Sequence, residues 1–174
     1  MPYGEPVTDR YRTLLLLRHA KSDYPAGVVD HDRPLAPRGI REARLAGEWL
    51  RSSVPPIDAV LCSTATRTRE TLSRTGLDAP VTFADRLYDA VPGTVIDEIN
   101  GVDDDVATLL VIGHEPAMSN VTLGLAGTSG SSQAAAERVS TKFPTSAIAV
   151  LRTDTAWRDL TLGVAALITF HVPR

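Results

Sequence analysis

A layered α/β fold, with strands alternating with helices, is predicted by three stretches of the chain. Leu14–Leu17, Ile57–Cys62 and Thr108–Ile112 are short, almost continuous apolar runs. Such runs mark strands buried on both faces, as in parallel sheets covered by helices. Each is followed by polar residues and then by a segment of helical spacing, which gives the alternation of an α/β layer structure.

Taken in order, Leu14–Leu17 forms the first strand and runs directly into Arg18 and His19, which fall at its carboxyl end. Asp23 to Arg33 is polar, contains Pro25, Gly27 and the cluster Asp30-His31-Asp32-Arg33, and reads as a loop over that end. A helix starts at Pro37 or Arg38, where a proline's missing N–H costs nothing. Its apolar stripe is Ile40, Ala43, Gly47 and Leu50, with Gly47 expected to allow close packing on the sheet. Arg38, Arg41 and Arg44, with Glu42 and Glu48, are expected on its solvated face. Pro55-Pro56 ends that region. Ile57–Cys62 is the second strand, and Ser63-Thr64 offers N-cap chemistry to a helix over Ala65–Thr75 closed by Gly76. Pro80–Phe83 reads as a short strand, Leu87-Tyr88-Asp89 as the lead into a loop with Pro92-Gly93, and Thr94–Ile99 as a helix. After Thr108–Ile112 comes Gly113-His114-Glu115-Pro116 and a helix to Leu125. Gly127–Ser132 is a Gly/Ser-rich flexible loop without the lysine of a nucleotide P-loop. Gln133–Ser140 is helical, and Ala147–Leu151 and Trp157–Val164 read as two strands of a hairpin. The ending from Phe170 to Arg174 is extended.

The 174 residues fit one domain, assigned to 1–174, with residues 1–8 as a flexible leader. A content of 43% hydrophobic and 22% charged residues is that of a globular chain. The net charge of −3 carries no electrostatic footprint for nucleic acid or a membrane surface. No apolar run approaches the roughly 20 residues of a spanning helix. The single cysteine, Cys62, excludes an intrachain disulfide framework and a cysteine zinc site, and agrees with a cytoplasmic location. It reads as a buried small hydrophobe.

Chemistry is expected where strand ends meet. If the three strands lie side by side and parallel, Arg18, His19, Arg67 and His114 share one rim. Arg67 falls in the first turn of its helix, whose free amides add partial positive charge. Arginine's planar fork matches phosphate oxygens. A neutral imidazole beside it can attack phosphorus and hold the group covalently, splitting one displacement into two. The arginines are expected to lower the histidine's pKa and keep it unprotonated. This scheme requires neither metal nor cofactor, and the chain has no HExxH-type spacing.

Leu17-Arg18-His19-Ala20 resembles the RHG/RHA signature of the histidine phosphatase (phosphoglycerate mutase-like) superfamily. The block from Cys62 to Thr71 is similar to that family's S-x-A-x-R-T-x-x-T pattern, and Gly113-His114 follows in order. RHAKS, the DHDRPL segment and Lys142-Phe143-Pro144-Thr145 resemble the small phosphohistidine phosphatase branch, the SixA type. The resemblance implies a three-layer α/β/α fold with a mostly parallel mixed sheet. It implies hydrolysis of a phosphoryl group through a covalent phosphohistidine, with protein phosphohistidine as favoured substrate and a phosphohistidine-bearing protein as partner. The alternatives are a small-molecule phosphomonoesterase of the same superfamily and a non-catalytic phosphoprotein-binding module.

By motif, His19 resembles the nucleophile, Arg18 and Arg67 the phosphoryl ligands, and His114 the second histidine. Arg33 is a further basic contact with substrate, and Lys21 and Ser22 edge the pocket. The general-acid glutamate of the mutase-type members has Asp89 as its nearest counterpart, which is either the acid or a residue of the loop edge. Arg69, two positions past Arg67, points elsewhere and is expected in a surface ion pair. His31 reads as a loop residue, and His171 as structural or exposed.

Overall fold

A computed structural model describes residues 11–174; the predicted leader, 1–8, lies outside the described residues. The strands are β1 (Arg12–Arg18), β2 (Ala59–Ser63), β3 (Val81–Ala84), β4 (Thr108–Gly113), β5 (Ile148–Thr153) and β6 (Ala166–His171). The helices are α1 (Pro37–Ser53), α2 (Thr66–Thr75), α3 (Pro92–Asn100), α4 (Ala117–Leu125) and α5 (Gln133–Thr141).

One six-stranded sheet runs in the order β3-β2-β4-β1-β5-β6. β1 to β4 are mutually parallel, β5 is antiparallel to β1, and β6 is antiparallel to β5. The apolar runs of the central strands are continuous because both faces are covered. Leu14, Leu16, Leu109 and Val111 pack with residues of α3, α4 and α5, such as Val95, Ile99, Val121 and Val139. Leu15, Leu17, Leu110 and Ile112 point the other way, onto Ala46 and Leu50 of α1 and Leu72 of α2. The result is the three-layer α/β/α sandwich with a mostly parallel mixed sheet. Pairing of Arg18 with Gly113 and of Cys62 with Ile112 brings the carboxyl ends of β1, β4 and β2 level with one another. In sheets of this kind ligands bind just beyond those ends.

Several local expectations are corrected. Gly47 does not face the sheet: a Cβ there would lie 2.0 Å from the Thr75 carbonyl oxygen, so it is the closeness of α1 to the end of α2 that excludes a side chain. Glu42 is buried, not solvated; its carboxylate turns toward Arg38 at 3.7 Å and Arg174 at 3.3 Å. Pro92-Gly93 belongs to α3, with Pro92 in the first turn where it forfeits no hydrogen bond. Trp157–Val164 is not a strand. Trp157 is fully buried, starts a short 3-10 turn and donates its indole N–H to the Val106 carbonyl at 2.8 Å. Its ring thus fills the core beside α3, and Ala166–His171 takes the edge of the sheet as β6. The Gly/Ser-rich loop is tied to that edge, through Gly127 N–H to Ala165 O at 2.7 Å and Ser132 N–H to Leu167 O at 2.7 Å.

Candidate active site

The backbone of His19 is held from both sides of β1. Its N–H donates to Gly113 O at 3.0 Å, at the end of β4, and its carbonyl accepts from Ser146 N–H at 3.2 Å, before β5. The next amide, Ala20 N–H, donates to the Thr71 hydroxyl of α2 at 2.9 Å. Because Thr71 lies one turn after Arg67, that bond sets the arginine turn of α2 against the end of β1.

His19, Arg67 and His114 are each 7–8% exposed. The two imidazole centroids are 5.3 Å apart and tilted by 53°. His19 Nδ1 lies 2.8 Å from Ala20 O. A carbonyl can only accept, so Nδ1 carries the proton and Nε2 presents its lone pair. Arg18 donates from Nη1 to Phe143 O at 2.8 Å, so the Lys142–Thr145 segment buttresses the guanidinium from behind. Arg67 donates from Nη1 to the Asp30 backbone oxygen at 2.8 Å and pairs through Nη2 with Asp30 Oδ2 at 3.1 Å. His114 Nε2 meets the Ser63 hydroxyl at 2.8 Å.

These contacts leave Arg18 Nε, Arg67 Nε and His114 Nδ1 buried and without a partner among the described residues. A buried polar group left in that state costs about 1–3 kcal/mol, and more when it is charged. Burial lowers the pKa of both Arg18 and His114, and Arg67 lowers each further, so the positive potentials of these groups add. The arrangement is a cluster of buried cationic and N–H groups with hydrogen-bonding capacity unused, which is chemistry suited to an oxyanion.

Burial pushes the His19 imidazole down to about 3, with His114, Arg67 and Arg18 adding to the effect. Burial, then Arg67, pushes His114 down to about 4. The sequence reading assigned this effect to the arginines, but desolvation is the larger cause. Both rings are therefore neutral at pH 7. Proton NMR titration is expected to show no inflection of either imidazole between pH 8 and about pH 5; an inflection near the ordinary value of about 6.5 would contradict the assignment. Because the folded values lie below the unfolded one, the unfolded chain takes up these protons first. The contribution to stability is therefore constant above about pH 6.5 and lost as the pH falls toward about 3.

The other predicted residues are placed differently. Arg33 pairs through Nε with Asp30 Oδ1 at 3.1 Å, donates from Nη1 to the Ser22 hydroxyl at 2.8 Å and lies 4.0 Å over the Tyr24 ring. It holds the loop over the site together, and the buried Ser22 hydroxyl is its acceptor. Lys21 is half-buried, and its carbonyl accepts from Ala36 N–H at 2.9 Å. Among the described residues none of these three side chains bonds to His19, Arg18, Arg67 or His114. Asp89 is exposed, in a left-handed conformation with φ 53°, and makes no hydrogen bond or ion pair with a described residue. Arg69 makes no ion pair there either. It donates to Thr64 O at 2.9 Å and lies 4.1 Å over Phe83, because its side chain runs back along the start of α2. His171 stacks on Trp49 at 4.3 Å, and the buried Cys62 thiol is pushed up to about 12 by desolvation.

Three residues of the site escaped the sequence reading. Ser63 does not cap α2, whose N-cap is Ala65 with no side-chain bond; its hydroxyl goes to His114. The available signal was register, since Ser63 ends a strand paired with the one that delivers His114. Asp30 and Tyr88 lie in loops. The Tyr88 hydroxyl donates to Asp30 Oδ2, and the Tyr88 ring stands edge-on to His114 with centroids 5.6 Å apart. That bond, with those from Arg67 and Arg33, holds the Asp30 carboxyl well below the usual range, and in return raises the Tyr88 phenol.

Comparison with known proteins gives a consistent picture. The model of the histidine phosphatase superfamily (branch 1) matches residues 14–99, a span containing Arg18, His19 and Arg67 and ending before His114. An uncharacterized protein of Mycobacterium tuberculosis is 65% identical over 158 residues, 91% of this chain and 100% of the relative. A solved structure of SixA from Nakamurella multipartitia, assigned as a phosphohistidine phosphatase, superposes with a TM-score of 0.86 at 40% identity, covering 94% of this chain and 96% of that one. The protein histidine phosphatase SixA complexed with tungstate superposes with a TM-score of 0.74 at 26% identity, covering 92% and 97%.

Proposed function

The chain belongs to the histidine phosphatase superfamily, and we propose that it hydrolyses protein phosphohistidine through a covalent phosphoryl group on His19. The observation that carries this reading is that Arg18 Nε, Arg67 Nε and His114 Nδ1, on three residues within electrostatic reach of a neutral His19, are buried without a hydrogen-bond partner among the described residues. The tungstate bound by a SixA relative supports the same class of ligand, because tungstate is a tetrahedral oxyanion like phosphate.

In this reading Arg18 and Arg67 receive the phosphoryl oxygens, offering their Nε edges while their Nη groups are anchored to Phe143 and Asp30. His19 Nε2 attacks phosphorus, the bond from phosphorus to the substrate nitrogen breaks, and the departing imidazole keeps the electron pair and takes a proton from solvent. The Nδ1 proton, fixed by Ala20 O, leaves the phosphorylated ring cationic, and that charge offsets part of the negative charge of the phosphoryl group. Ser63 accepts from the Ala65 amide at 3.3 Å and gives its own hydrogen to His114 Nε2. That leaves the His114 Nδ1 proton to bond a phosphoryl oxygen, and such preorganised donors need no rearrangement as charge develops. Water then displaces His19 from phosphorus and releases phosphate.

The scheme uses no metal ion or cofactor. A protein-borne substrate implies a phosphohistidine-bearing partner, and a cytoplasmic location belongs to the same reading. Among the described residues no helix is long and apolar enough to cross a membrane. Turnover of a phosphohistidine peptide, compared with sugar and acyl phosphates, tests the substrate assignment. The peptide is expected to have the highest kcat/KM; equal or better turnover of the small phosphates would replace it with phosphomonoesterase activity.

A further inference from the structure

We infer that Asp30 is a specificity-determining residue, set at the mouth of the site so that a phosphoryl group carried on nitrogen is favoured over one carried by an anionic ester. The inference deepens the phosphohistidine reading and rests on it.

His19 lies at the floor, 8% exposed and within the electrostatic reach of Arg67, whereas the Asp30 side chain is 54% exposed and pairs with Arg67. In-line attack by His19 Nε2 places the departing atom on the opposite side of phosphorus, toward solvent. The leaving group therefore passes the lip where Asp30 stands.

Exposed carboxylates are usually mobile, but this one is fixed. Its Oδ2 accepts from Arg67 Nη2 at 3.1 Å and from the Tyr88 hydroxyl, and its Oδ1 accepts from Arg33 Nε at 3.1 Å. Its backbone oxygen accepts from Arg67 Nη1 at 2.8 Å. The carboxylate thus occupies the outer edge of Arg67 and leaves the buried Nε free for the phosphoryl group. The site has a cationic floor, and at its lip a carboxylate held between Arg67 and Arg33.

The two kinds of substrate differ in the charge that reaches this lip. An imidazole leaves phosphorus neutral or, once protonated, as a cation, and its N–H can donate to Asp30. The oxygen leaving an ester develops negative charge, and a carboxylate elsewhere on the ester adds a second repulsion. For unit charges several ångströms apart near a protein surface, such attraction or repulsion changes rates by about tenfold in each direction.

The test is kcat/KM of wild type, Asp30→Asn and Asp30→Glu on a phosphohistidine peptide and on 3-phosphoglycerate, a carboxylate-bearing ester. Where ester hydrolysis falls below detection, its inhibition constant is used instead. Asp30→Asn is expected to lower the peptide value about tenfold and to raise that of the ester several-fold, and Asp30→Glu to restore the preference in part. The 3-10 turn Asp30–Asp32 contains no buried residue, so the core is untouched and circular dichroism checks that both variants fold. An equal loss on both substrates would reduce Asp30 to a support for Arg67 and overturn the inference, as would an unchanged ratio. Phospho-His19 formation by the wild type is measured in parallel. Its absence removes the underlying reading, whereas its presence with an unchanged ratio overturns the role of Asp30 alone.

Discussion

His19→Ala is expected to abolish phosphohistidine hydrolysis, with a loss on the order of 10⁴-fold or more, while the protein remains folded. Removal of a covalent nucleophile commonly costs this much, because the binding groups left behind supply only residual catalysis. The fold should survive because the ring's own hydrogen bond is local, from Nδ1 to the carbonyl of the next residue. The strand end is held by backbone bonds to Gly113 and Ser146, which alanine retains. Deleting a buried imidazole that must stay neutral also removes a liability in acid, so the variant should resist unfolding at low pH better than the wild type. The check is a rate assay with circular dichroism; an active, folded His19→Ala enzyme would refute the covalent mechanism.

Arg67→Ala is expected to lower kcat by on the order of a hundredfold or more with His19 still in place. In the proposed mechanism this arginine offers its buried Nε–H, unpartnered among the described residues, where phosphoryl charge develops, and losing such a donor typically costs that factor. Two effects combine. The phosphoryl oxygens lose a charged ligand, and Asp30 keeps only Arg33 of its two cations, so less of its negative charge is offset beside the incoming dianion. Arg67→Lys should recover only part of the rate, because an ammonium cannot hold Asp30 through two nitrogens and still face the pocket with a third. Stopped-flow or quench measurements of the phosphorylation step would separate this loss from weaker binding. Full activity in Arg67→Lys would show that charge alone suffices.

Much of the architecture was legible from the sequence because the central strands are buried on both faces. Leu14–Leu17 and Thr108–Ile112 carry no alternation to confuse with a helix, and each stops at the residues that form the rim. Parallel pairing in register then brings His19, His114 and Arg67 together, a consequence of topology that spacing alone suggested. The edges were harder. Trp157–Val164 contains strand-forming residues, yet the indole is better used filling the core beneath α3, a choice decided by tertiary packing. Glu42 looked like a surface residue because its neighbours at Arg41 and Arg44 are exposed, whereas its own position turns inward with Ala43 and Ala46. Asp30 and Tyr88 are separated by 58 positions, lie in loops and meet only through the fold. No periodicity encodes such a contact. Ser63 was misread because a serine before a helix is an ordinary cap, and only the sheet register reveals the histidine beside it.

The central claim is that a neutral, buried His19 takes the phosphoryl group onto Nε2. It is tested most directly by mixing the protein with a radiolabelled phosphohistidine peptide, quenching in alkali within the first turnover, and mapping the label by mass spectrometry. An acid-labile, alkali-stable phosphoryl group is expected on His19, and none in His19→Ala. Phosphate released with no labelled enzyme, or label on another residue, would contradict it.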